Sequence, residues 1–256
     1  MYHALEDEAH PSGAKDSGEH LYVLQVSQFR EHMAYLHREG YRTLLLEELK
    51  SLTEWPDKAV VLTFDDGHES NFSLALPILR DYGFKADFFI TTGWIGTPYY
   101  MTERHIRELY RAGMGIGSHG VTHAFFDDMT YLDCQREFCE SGRILSEIIG
   151  RKVTSFSAPG GRVRPDIAAL AESSGYDTVC TSQPGIVVNG GSAYCIPRIT
   201  LQNDMDMKMF ATIVQRDDAY LTRLTRRSRL LSCAKKMLGN KRYEKVRELL
   251  LEKKRQ

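Results

Sequence analysis

Apolar and polar positions alternate along this chain in a strand–helix rhythm. Ala59-Val60-Val61-Leu62 is an unbroken apolar run, the pattern of a strand buried on both faces of a parallel sheet. Similar runs predict strands at 59–63, 86–90, 115–118, 153–157 and 178–181. Helical periodicity between them predicts helices at 71–82, 103–112, 131–149 and 165–173. Gly83, Gly113 and Gly150 stand where the first three must stop. Ahead of this block the pattern gives a polar loop at 6–19 and a helix at 28–39 with Ser27 as N-cap and Gly40 as its stop. A short strand at 43–46 and a short helix at 47–52 follow. Six or seven such units predict an α/β fold with parallel strands and crossover helices, closed as a barrel rather than left as an open sheet.

After Pro197-Arg198-Ile199 the character changes to three helical segments, at 207–215, 220–238 and 241–254, rich in arginine and lysine. The expected organisation is a barrel over 1–201 and a basic helical extension over 202–256. The 256 residues carry a net charge of only −1, but Arg216 to Gln256 hold fourteen Lys/Arg against five Asp/Glu, leaving an acidic body. A basic tail of this kind predicts a meeting with something anionic, such as peripheral contact with an anionic membrane through 216–256. The five cysteines form no C-x-x-C pair and read as reduced packing residues. With no signal-peptide pattern and no spanning apolar run, the expected location is cytoplasmic, peripheral to the inner face of the membrane. No G-x-G-x-x-G or G-x-x-x-x-G-K motif supports nucleotide binding. With few aromatics in the tail, nucleic acid is not an expected partner.

Chemistry concentrates at two places. Thr63-Phe64-Asp65-Asp66-Gly67 sets two carboxylates side by side at a strand end, before a glycine turn. Ser118-His119-Gly120-Val121-Thr122-His123 supplies two imidazoles four residues apart, within reach of one ion. Active sites of parallel α/β folds lie beyond the carboxyl ends of the strands, where both segments fall. Neighbouring side chains at a strand end diverge, so one Asp can bind a cation while the other remains free as a base. One carboxylate and two imidazoles leave a position open, the donor set of a catalytic divalent ion, Zn2+ above others.

These two segments resemble the first two motifs of the polysaccharide deacetylase (NodB-homology) family, and the resemblance covers roughly residues 1–200. It implies a distorted (β/α)7 barrel and a metal-dependent hydrolase that removes an acetyl group from an N-acetylated sugar in a glycan or glycolipid. Carried over by position, Asp65 is the general base, and Asp66, His119 and His123 are the metal ligands. The family's third motif begins with arginine. Here the segment reads Phe156-Ser157-Ala158-Pro159-Gly160-Gly161, with Ser157 in the arginine's place. Arg162, Arg164 and Arg198 are the candidate substitutes. Pro159, the Gly160 backbone N–H and Arg198 are the candidate oxyanion and substrate contacts. The family's late leucine-x-histidine motif is absent, since no histidine follows His123. In the branch that includes poly-N-acetylglucosamine deacetylases the motifs are circularly permuted, and the first strand carries a Tyr-His pair. Met1-Tyr2-His3 matches, making His3 the candidate general acid and His68 the runner-up. Two other readings stay open: a glycan- or lipid-binding member with little catalysis, motivated by Ser157 and Gly160, and an amidase on a non-carbohydrate amide.

Overall fold

The computed structural model describes residues 1–188 and 193–238, with Lys50 and 232–238 given by backbone alone. At its centre lies a six-stranded sheet in the order Tyr194–Ile196, Thr178–Cys180, Ser155–Ser157, Gly115–Ser118, Asp87–Ile90, Thr63–Phe64. All its pairings are parallel. The start of the chain joins the two edges. Tyr2 N donates to Thr63 O at 2.7 Å and Asp65 N to Tyr2 O at 3.0 Å. On the other side Leu201 N donates to Met1 O at 3.0 Å and the Met1 nitrogen to Ile199 O at 2.9 Å. Six strands and this segment make a curled sheet of the distorted (β/α) barrel type.

The central strand Asp87–Ile90 is buried on both faces, as expected of a parallel sheet covered on both sides. Phe64, Phe88, Ile116, Phe156 and Val179 pack against the helices in the main core, while Phe89, Cys180, Ile196 and Leu46 fill the inside of the barrel. The inside is narrow. A Cβ on Gly117 would stand 2.5 Å from the Phe89 ring, and one on Gly115 would collide with Asp87 Oδ1, so only glycine fits beside these larger neighbours. Asp87 itself is buried and accepts a hydrogen bond from Leu46 N at 3.0 Å. Burial raises its carboxyl to about 7.

Helix ends follow local chemistry. Tyr131–Ile149 begins on the Thr130 hydroxyl, which accepts from Asp133 N, and ends on Gly150 at φ +71°. Three expectations need correction. The helix placed at 28–39 is Val26–Arg38, with Gln25 rather than Ser27 as N-cap and no side-chain cap bond. The polar stretch 6–19 is not all loop: Leu5–Glu6 is a strand paired with Leu24–Gln25. Ser17–His20 is a helical turn held by the Asp16 carboxylate. The strand at 59–63 is two pieces, because the chain changes partner midway. Ala59–Val60 pairs with Arg42–Thr43, whereas Thr63–Phe64 pairs with Asp87–Phe88.

Past Leu201 the chain first packs back on the barrel. Phe210, in the helix Met207–Val214, is buried and stacks on His32 with ring centroids 3.9 Å apart. Tyr41 Oη donates to Val214 O at 3.3 Å. A second helix, Asp218–Leu238, follows, and the helix expected at 241–254 lies outside the described residues. Among the described residues no helix is long and apolar enough to cross a membrane.

His32 gives this docking a pH dependence. It is 1% exposed, with Nδ1 3.2 Å from the Tyr2 hydroxyl. Burial pushes its imidazole down from 6.5 to about 4. Between those two values the unfolded chain binds a proton that the folded chain refuses, so stability falls as pH drops through that window. The full effect is about 3 kcal/mol. Urea unfolding of His32→Leu should therefore show a flatter loss of stability between pH 6.5 and 4 than the unsubstituted protein, and identical slopes would contradict this.

Candidate active site and metal centre

Asp65 and Asp66 follow the strand Thr63–Phe64 and part company at once. Asp66 has φ +77°, a left-handed backbone uncommon for a non-glycine residue, and this turns its side chain away from its neighbour's.

Asp65 points into the barrel and is 2% exposed. A lone carboxylate there would be expelled or protonated. Arg198 prevents both. Its Nη1 donates to Asp65 Oδ1 and its Nη2 to Asp65 Oδ2, each at 2.7 Å, a two-pronged pair. Ser157 Oγ donates to Asp65 Oδ2 at 2.9 Å and accepts from Arg198 Nη2 at 2.6 Å. The remaining guanidinium hydrogens go to Thr63 Oγ1 (3.2 Å) and Thr181 O (3.0 Å). All five N–H groups of Arg198 are thus committed to groups of the chain itself. Burial alone would raise Asp65, but Arg198 together with His119 and His3 outweighs it and the carboxyl falls to about 2. Arg162 and Arg164 are engaged elsewhere. The Arg162 guanidinium lies 3.7 Å from the Phe125 ring centre, and Arg164 Nε pairs with Asp166 Oδ1 at 2.8 Å.

Asp66 faces histidines instead. Its Oδ1 lies 3.3 Å from His119 Nε2 and 3.3 Å from His123 Nε2, and its Oδ2 lies 3.5 Å from His68 Nε2. His119 Nδ1 is 2.7 Å from Ser157 O. A carbonyl only accepts, so Nδ1 carries the hydrogen, and a neutral His119 turns a lone pair toward Asp66. With both imidazoles neutral and their Nε2 lone pairs turned inward, lone pairs from a carboxylate and two imidazoles converge, and a cation between them relieves the repulsion. Three observations fit a divalent ion here. The three ligand atoms lie within 4.8 Å of one another. Asp66 Oδ1 is buried with no hydrogen-bond partner. The site also attracts positive charge: burial would lower His119, yet Asp65 and Asp66 outweigh it and its pKa rises, while Asp66 is held well below the ordinary carboxylate value despite burial. His123 takes φ +60°, and its ring packs on Trp94 with centroids 4.9 Å apart. Trp94 in turn packs on Tyr100, on which His68 stacks. Nothing in the spacing of the motifs marks Trp94; its place shows only once the strands that end at Ile90 and Ser118 lie side by side.

His3 stands on the closing segment, its carbonyl accepting from Asn71 Nδ2 at 2.7 Å and its ring 4.9 Å from Tyr22. Its Nδ1 is buried without a partner among the described residues. Burial pushes the ring down to about 4; the nearby Asp66 and Asp65 carboxylates oppose this without cancelling it. Pro159 and Gly160 occupy the turn after Ser155–Ser157. Gly160 has φ +63° and is exposed, and its N–H donates to no described residue. The structure thus gathers Asp65, Asp66, Ser157, Arg198, His119 and His123 into one cluster, with His3 beside it.

The polysaccharide deacetylase family model matches residues 53–179, the stretch that carries both the Asp-Asp-Gly and the His-x-x-x-His segments. The chain belongs to the polysaccharide deacetylase family. Among its relatives is YxkH of Bacillus subtilis strain 168, named as a polysaccharide deacetylase, with 29% identity over 84% of this chain and 75% of that one. The poly-β-1,6-N-acetyl-D-glucosamine N-deacetylase of Escherichia coli K12 is 25% identical over 82% of this chain, which spans only 37% of its length. Among solved structures, the Streptococcus pyogenes deacetylase PplD has a TM-score of 0.73 at 24% identity, covering 84% of this chain and 96% of that chain. IcaB from Ammonifex degensii has a TM-score of 0.70 at 20% identity, covering 84% and 93%. Both share the fold. The matched stretch includes neither His3 nor Arg198, which reach the cluster from the two ends of the barrel sequence.

The pairing of Asp65 with Arg198 has a measurable signature. Arg198→Met leaves a buried carboxylate uncompensated and should lower the unfolding free energy by about 3–5 kcal/mol. Adding Asp65→Asn to it should restore part of that loss, because the orphaned charge is gone. Additive losses in denaturant unfolding of the two single variants and the double variant would contradict the pairing.

Proposed function

We propose that this protein is a metal-dependent carbohydrate N-deacetylase that hydrolyses the acetamide of an N-acetylated sugar. The observation that carries this reading is the separate compensation of two adjacent carboxylates, Asp65 buried and Asp66 half-buried. Asp65 has its own permanent cation, whereas Asp66 and two imidazoles converge on a place for another. Family membership and the poly-N-acetylglucosamine deacetylases among the relatives support the sugar as substrate class.

In this proposal Asp66, His119 and His123 hold a divalent ion, for which the imidazole donors favour zinc. When bound, the ion supplies Lewis-acid polarisation of the amide carbonyl and lowers the pKa of water. The chain's own groups do the rest. Arg198 and Ser157 fix Asp65 in one rotamer and keep it ionised. Asp65 Oδ1, with one lone pair on Arg198, keeps the other for the proton of the attacking water. The Gly160 N–H is the backbone donor for the developing oxyanion. His3 delivers a proton to the departing amine. Burial keeps its imidazole neutral until it receives a proton, and the proton that Asp65 takes from the attacking water is the one passed through it to the amine. The barrel over 1–201 carries all of these groups, and 202–256 is proposed as an extension outside the chemistry.

Arg198 also bears on the binding-only alternative. That reading drew on the missing third-motif arginine, and a guanidinium from another strand end stands against Asp65 here. A substrate panel separates the sugar deacetylase from a general amidase: acetate release is expected from β-1,6-linked N-acetylglucosamine oligomers or lipid-linked N-acetyl sugars, and not from simple acetamides. Asp65→Asn should keep one bound ion per chain and lose about 10²–10⁴-fold in turnover. His119→Ala should lose both ion and turnover. Full metal content in His119→Ala, measured by plasma emission, would overturn the ligand assignment.

A further inference from the structure

The two imidazoles are four residues apart on a bend, not on a helix, so no helical hydrogen bonds hold their spacing. Gly120 has φ +81° and His123 φ +60°, both left-handed, so the bend needs holding from outside. One side is held by backbone: Thr92 N donates to Gly120 O at 3.0 Å and Gly93 N to Val121 O at 2.9 Å. The other side is held by a single carboxylate. Val121 N and Thr122 N both donate to Glu137 Oε2, at 2.5 and 3.0 Å, and Thr122 Oγ1 donates to Glu137 Oε1 at 2.7 Å. A Cβ on Gly120 would stand 2.7 Å from the same Oε2, so the carboxylate lies directly over the bend.

Glu137 is 6% exposed, on the inner face of the helix Tyr131–Ile149 beside Phe138 and Ser141. Apolar periodicity calls for a hydrophobic residue there. Ser141 Oγ donates to Glu137 O at 2.5 Å and lies 2.6 Å from Ser118 Oγ, on the residue just before His119. The helix therefore grips the segment before the first imidazole and, through the carboxylate, the bend that leads to the second.

We propose that Glu137 is the positioning residue of the metal centre: it accepts the two loop amides and the Thr122 hydroxyl, and thereby fixes His123 relative to His119 and Asp66. The proposal rests on the reading that these three residues hold a divalent ion. It assigns Glu137 no contact with ion or substrate; it acts through the loop, as outer partners of metal ligands do.

The test uses the full chain. Zinc affinity is measured by competition with a chelating dye, and the visible spectrum is recorded with cobalt in place of zinc. Glu137→Ala should weaken zinc binding about 10–100-fold and shift the cobalt spectrum while thermal unfolding stays cooperative. Glu137→Gln should recover most of the affinity, because its amide oxygen still accepts both N–H groups and the Thr122 hydroxyl can accept from its amide nitrogen. If the alanine variant does not fold, Glu137→Asp, which keeps the charge but withdraws it from the loop, should show the weakened binding instead. A folded alanine or aspartate variant with unchanged affinity and cobalt spectrum would overturn the proposal, as would a glutamine variant as impaired as alanine. Failure of the unsubstituted protein to bind either metal would instead overturn the metal reading itself.

Discussion

Two carboxylates placed side by side, one buried and one half-buried, are not served by one compensating charge, and the rest of the site follows from that constraint. The left-handed turn at Asp66 sends the two side chains in different directions. Asp65 meets the guanidinium of Arg198, a cation the chain carries with it. Asp66 meets His119 and His123, which cannot neutralise it while their own lone pairs point the same way. One acid is thereby kept ionised and immobile, and the other is left to demand a cation. The proposed metal centre needs that division of labour, which two consecutive residues supply.

The barrel makes the arrangement possible by bringing strand ends from distant parts of the sequence to one place. Arg198 lies 133 residues from Asp65, and Ser157 lies 92 residues away. The closing segment sets His3 next to the same cluster by pairing Tyr2 with both flanks of Phe64. Glycines at 115 and 117 leave room inside for Asp87 and Phe89, so the wall that supports the site is filled rather than hollow.

Local features were the legible ones. The apolar run before Asp65, the glycine after Ile149 and the spacing of His119 and His123 are short-range patterns whose physics is complete within a few residues. The helix Tyr131–Ile149 falls where its Thr130 cap and Gly150 stop place it. The partner of Asp65 was less legible: three arginines were candidates on paper, Arg198 foremost because it follows a strand-like proline, and the pairing of the strands Thr178–Cys180 and Tyr194–Ile196 selects Arg198. Glu137 was invisible for a similar reason, since a glutamate on an apolar helix face reads as an irregularity until the amides of Val121 and Thr122 are seen to fill its oxygens. Ser27 misled because a good capping residue loses its role when the helix starts two residues earlier.

The most direct test of this account is anomalous diffraction at the zinc edge from crystals of the metal-loaded protein. The account predicts a single strong peak within bonding distance of Asp66 Oδ1, His119 Nε2 and His123 Nε2, with Asp65 still on Arg198 and clear of the ion. A peak bonded to Asp65, or one that avoids the two imidazoles, would contradict it.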